Sequence, residues 1–76
     1  MKDLLTYIAK SLVENPDAVS VNEVTKEDGI VLELRVAPED MGKVIGKHGR
    51  IAKEIRTIIK AAALRDNVKV SVDILD

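Results

Sequence analysis

The 76 residues leave room for one domain, residues 1–76, with no cysteine to staple it and a single histidine that cannot build a metal site alone. Its core must be aliphatic, because Phe and Trp are absent and Tyr7 is the one aromatic. The net charge of −1 hides an asymmetry: residues 1–42 hold four basic and nine acidic side chains and residues 43–69 eight basic and two acidic, so one third of the chain suits an anion and the rest repels one.

Asp3, Lys10 and Glu14 interrupt the N-terminal apolar stretch, so no signal peptide is read there. No run approaches the roughly 20 apolar residues of a membrane span. The expectation is a cytoplasmic protein without a membrane partner.

Leu4, Leu5, Ile8, Ala9 and Leu12 share one arc at helical spacing, which predicts a helix from Asp3 to about Asn15. Tyr7 falls off that arc. Asn15-Pro16-Asp17 ends it, since a residue before proline is pushed out of the helical region. A strand is expected over about Ala18–Thr25, where Val19 and Val21 alternate with Ser20 and Asn22 and Val24 breaks the period. Lys26-Glu27-Asp28-Gly29 reads as a hairpin turn. The second strand is the clearest, with Ile30, Leu32, Leu34 and Val36 on one face and Glu33 and Arg35 on the other.

Pro38 opens a short helix to about Ile45, with Glu39 and Asp40 suited to its positive end. Gly46–Gly49 interrupts, and a longer helix is expected from Arg50 to Asp66. Its apolar stripe is Ile51, Ile55, Ile58, Ile59 and Ala62; Arg50, Lys53, Arg56 and Lys60 form a basic stripe on another side. Ala61-Ala62-Ala63 permits close packing, internally or across a dimer. A last strand, Val68–Leu75, alternates Val68, Val70, Val72 and Ile74. The order α-β-β-α-α-β predicts an α+β fold: a three-stranded sheet with helices packed on one face.

Gly46-Lys47-His48-Gly49 carries the functional signal. Two glycines three apart make a tight turn between helices and let another backbone approach. The unpaired amides that follow, at the positive end of a helix dipole, suit a phosphate. Lys47, His48 and Arg50 add charge, and Val44 and Ile45 anchor the turn. The loop is not a Walker A motif: only three residues separate Gly42 from Gly46, and His48 rather than Ser or Thr follows Lys47. No G-x-G fed by a strand marks a dinucleotide site. The Gly42-x-x-x-Gly46 spacing lies in charged sequence, not in an apolar span.

Val44-Ile45-Gly46-Lys47-His48-Gly49, with Ile55 further along, resembles the KH-domain signature, and the element order resembles the prokaryotic type II arrangement. The run from Val36 through Gly46-Lys47 to Gly49-Arg50 is especially similar to the small single-KH proteins of the bacterial KhpA family, and the resemblance covers the full chain. It implies a type II KH fold that binds single-stranded RNA, clamping about four nucleotides across the G-x-x-G loop. Carried over by position, Gly46 and Gly49 admit the RNA backbone and Lys47, His48 and Arg50 face the phosphates, with Lys43 and Lys53 counted among the RNA-binding residues beside them. Val44, Ile45, Ala52 and Ile55 form the floor and core of the groove, and bases are read against a strand. Ala52 stands where the broader signature has Ile. The loop from Thr25 to Gly29, expected to flank the groove, carries Glu27 and Asp28, which oppose RNA contact there.

The resemblance further implies an RNA chaperone or post-transcriptional regulator, working as a homodimer or with a KhpB (Jag)-type KH protein. A single-stranded DNA ligand fits the same groove. The alternative is a KH-fold interaction module in which RNA binding is secondary. An enzyme is not expected: Cys is absent, His48 has no partner base or carboxylate pair near it in sequence, and nothing calls for a cofactor or metal.

Overall fold

The computed structural model describes residues 1–42, 44 and 49–75. Helix α1 (Lys2–Leu12) leads through a 3-10 turn (Pro16–Ala18) into strands β1 (Ser20–Lys26) and β2 (Gly29–Arg35). A long helical span, α2 (Pro38–Arg65), then carries the chain to β3 (Val70–Leu75).

α1 buries Leu5 and Ala9, with Ile8 and Leu12 half-buried behind them, while Tyr7 is 73% exposed. It stops at Leu12, short of the expected Asn15, because Val13 is already extended. The next two backbone amides bond elsewhere: Glu14 and Asn15 each donate to the carboxylate of Asp40 at 3.1 Å. Pro16 begins the 3-10 turn, closed by Ala18 N–H to Asn15 C=O and Val19 N–H to Pro16 C=O, both 3.1 Å. That turn uses the residues expected to open the first strand, which starts instead at Ser20.

β1 and β2 pair antiparallel from Ser20↔Arg35 to Lys26↔Gly29, joined by Glu27 and Asp28. Neither loop residue takes a positive φ; Gly29 does, at +152°. A Cβ on Gly29 would lie 2.8 Å from the Lys69 carbonyl oxygen, so glycine here also admits the start of β3, where Ile30 N–H donates to Lys69 C=O at 2.9 Å. The period break at Val24 has a cause in this register. Val24 sits opposite Val31 on the sheet's open face, a half-buried β-branched pair. Glu23, opposite Leu32, puts a charge on the helix-facing side of an edge strand, which discourages pairing with another sheet.

β3 pairs parallel to β2, from Ile30↔Val70 to Arg35↔Leu75, giving the order β1-β2-β3. A parallel pair needs a crossover, and α2 supplies it on the face where α1 also packs. Leu32 and Leu34 of β2, Val21 of β1 and Val72 of β3 meet Leu5, Ile55 and Ile59 in the core.

The α-β-β-α-α-β order holds. The two later helices fall within one span, Pro38–Arg65, and the expected interruption at Gly46–Gly49 lies, but for Gly49, outside the described residues. The discontinuity is marked by Gly49, whose φ of +68° is left-handed. That conformation ordinarily closes a helix, and one such residue suffices to redirect the chain. The far end of α2 is closed by Asn67, also left-handed at φ 57°. Asn67 N–H donates to Leu64 C=O at 3.1 Å and Val68 N–H to Ala63 C=O at 2.9 Å, a Schellman cap with asparagine in the usual glycine place.

Candidate nucleic-acid interface

β3 lies at the edge of the sheet, and its register decides which backbone groups are open. Lys69 C=O points at β2, and in a parallel ladder the bonding residues alternate. Ser71 and Asp73 therefore bond to β2, while Val70, Val72 and Ile74 direct N–H and C=O away from the sheet. Facing that edge is the C-terminal part of α2, and the groove between them is lined by Arg56, Ile59 and Lys60 on the helix and Val70, Ser71 and Val72 on the strand. Ile59 is buried and forms an apolar floor. Arg56 spans the groove, its Nε donating to Val72 C=O at 3.4 Å. Beyond Lys60 the surface continues past Ala63 and Leu64 to Val68 and Lys69.

The basic stripe predicted on this helix is real: Arg50, Lys53, Arg56 and Lys60, spaced by three and four residues, are all exposed on α2. Arg56 and Lys60 line the groove; Arg50 and Lys53 precede them along the helix toward Gly49. No side-chain ion pair is formed by these four among the described residues; Arg65, further along, lies 3.6 Å from its neighbour Asp66, both well exposed. The stripe is thus available to an anion.

Of the other residues singled out, Val44, Ala52 and Ile55 are buried in the core, so their part is to hold the groove from beneath. Gly49 is half-buried and left-handed, with open space where a Cβ would stand, so backbone conformation and not crowding calls for glycine. Lys43, Ile45, Gly46, Lys47 and His48 lie outside the described residues. The turn bearing Glu27 and Asp28 does not wall the groove. It abuts Lys69 from the sheet side, where Lys26, Asp28, Lys69 and Ser71 line a shallow depression, and β3 stands between it and α2.

Two contributors were missed from sequence. The open edge of β3 was invisible because alternation gives a strand's faces but not its neighbours. Helical spacing puts Arg56 in the basic stripe and says nothing of the strand edge, since its reach to Val72 depends on where β3 docks.

The model of the KhpA/KhpB KH-domain family matches residues 2–74. The chain belongs to this family. It is 68% identical over 75 residues to a protein of Clostridium acetobutylicum named RNA-binding protein KhpA, covering 99% of this chain and 100% of the relative. Similarity extends to proteins of the same name in Chlamydia trachomatis (50% over 76 residues, 100% of this chain and 97% of the relative) and Treponema pallidum (45% over 75 residues, 99% and 94%). No solved structure matches. For a KhpA/KhpB domain, then, the described geometry is a basic helix face, a left-handed glycine at its head, and an open strand edge across an apolar-floored groove.

Proposed function

We propose that this protein binds single-stranded RNA in the groove between α2 and β3, as a type II KH domain whose Gly46-Lys47-His48-Gly49 loop clamps the phosphate backbone. The observation that carries the reading is the pairing of an exposed basic helix face with an open strand edge. Phosphates are attracted to Lys43, Lys47, Arg50 and Lys53 and to the helix amides after Gly49, while bases lie over Ile59 and exchange hydrogen bonds with the edge of β3. The absence of Phe and Trp suits this mode, which reads bases by backbone groups without an aromatic platform. The names of the relatives support RNA as the ligand. The protein is not an enzyme; its family is a KH-domain family. Its place is the cytoplasm, as an RNA chaperone or post-transcriptional regulator.

The test is fluorescence anisotropy with short single-stranded RNAs, comparing wild type with Lys47→Asp/His48→Asp and checking the fold by circular dichroism. Binding by wild type that is lost in the folded variant supports the clamp, with duplex RNA a poor competitor and single-stranded DNA the comparison that sets ligand preference. Equal binding by both proteins sinks it.

A second reading is favoured by one observation. Leu4, Ile58, Ala61, Ala62 and Arg65 line an open seam between α1 and α2, and Ile58 is 44% exposed although it belongs to the predicted apolar stripe. This strip suits a second KH domain, either another copy or a KhpB-type partner. Two linked clamps would raise the affinity of one weak clamp through effective concentration. Ile58→Glu tests it: the variant should be monomeric in sedimentation where wild type is not, and unchanged assembly would remove the strip from consideration.

A further inference from the structure

We propose that Arg56 sets the base preference of the groove, by covering the Val72 carbonyl and so turning that point of the β3 edge from mixed donor and acceptor to donors only. The inference rests on the RNA-binding reading above. The register directs both the N–H and the C=O of Val72 toward the groove. Left to itself, such a pair would suit a base offering a donor beside an acceptor, as adenine does with N6–H and N7. Here the carbonyl is already engaged by Arg56 Nε at 3.4 Å. What faces a ligand at Val72 is its N–H together with the outer guanidinium nitrogens, all donors.

A base with two adjacent acceptors matches that set. Among the purines this is guanine, with O6 and N7, whereas adenine would bring its N6–H against a donor and leave a buried polar group unpaired. The placement suits discrimination more than general attraction. Arg50, Lys53 and Lys60 share the basic stripe, but among the described residues Arg56 is the member of it that bonds to the strand edge. A guanidinium also carries a planar fork that an ammonium lacks, so lysine cannot reproduce it.

The experiment measures binding of wild type, Arg56→Met and Arg56→Lys to uridine-rich single strands that differ in one central guanosine or adenosine. Wild type should prefer the guanosine strand by roughly three- to tenfold, the worth of one or two hydrogen bonds. Both variants should lose that ratio, and Arg56→Lys should retain the overall affinity that its charge supplies. If both variants keep the wild-type ratio, or lose affinity equally for the two strands, Arg56 is a phosphate contact and the inference fails while the proposed function stands. If wild type binds no single strand at all, the proposed function fails and takes this inference with it.

Discussion

One carboxylate oxygen of Asp40 accepts the backbone N–H of Asn15 at 3.1 Å, across 25 positions of sequence. The other accepts Glu14 N–H at the same distance, and the side chain is 1% exposed. Asp40 is the third residue of α2, so its charge also faces the positive end of that helix. A single buried acid thus fastens the exit of α1 to the entrance of the helix that bears the site. Asn15 returns a second tie, its Nδ2 donating to Glu39 Oε1 at 3.1 Å.

Asp40→Ala should therefore cost about 1–3 kcal/mol, because two amides lose their acceptor in a part-buried place. Asp40→Asn should recover only part of the loss, since its NH2 faces one of the two donors. Urea denaturation measures both; a wild-type midpoint for Asp40→Ala would show that water replaces the carboxylate without cost.

Three described glycines should answer differently to alanine. Gly42 has no left-handed φ and open space around its missing Cβ, so Gly42→Ala should stabilise by about 0.5–1 kcal/mol through helix propensity. Gly49→Ala meets no atom but must adopt φ +68°, a cost of about 1–2 kcal/mol. Gly29→Ala combines φ +152° with a 2.8 Å approach to the Lys69 carbonyl and should be the most damaging of the three. Thermal melts of the three variants give the order directly, and any other ranking contradicts the backbone argument.

Asn67 holds the cap that ends α2. Asn67→Gly should preserve or slightly raise stability, and Asn67→Val should lower it by about 1–2 kcal/mol, since a β-branched residue resists the left-handed region. Equal melting temperatures for these two variants would mean that the turn rearranges freely.

Salt dependence reports the size of the electrostatic footprint. With about 3–5 phosphates neutralised, the logarithm of the association constant should fall against the logarithm of salt with a slope of about −2 to −3.5 for a single strand. A titration of anisotropy between low and moderate salt gives the slope. A value near that of ten contacts would contradict one clamp per chain.

Much of this architecture was legible in the residues. Ile30, Leu32, Leu34 and Val36 announced a strand by alternation alone, and Leu5, Ala9, Ile55 and Ile59 announced helix faces by spacing; all of these are buried or packed on the core. What escaped was set by partners distant in sequence. Ile58 lies on the apolar stripe yet stays largely exposed, because spacing places a residue on a face without saying where the neighbouring helix ends. Asp40 looked like a helix-end charge, and its bonds to Glu14 and Asn15 needed α1 docked beside it. The cap at Asn67 did have a local signal, an asparagine just past the last helical turn, which the strand pattern beginning at Val68 obscured.

The parallel pairing of β2 with β3 has a consequence for how the site comes into being. β1 and β2 pair across a two-residue turn, whereas Ile30 meets Val70 only after forty positions of chain, with the whole of α2 between them. Closing the short loop costs little entropy and closing the long one costs more, so hairpin contacts are expected to precede the crossover in folding. The strand wall of the groove is then the last surface to be assembled. Damage at Val72 should quicken the loss of the finished fold more than it delays its formation, while damage at Val21 or Leu34 should delay formation itself.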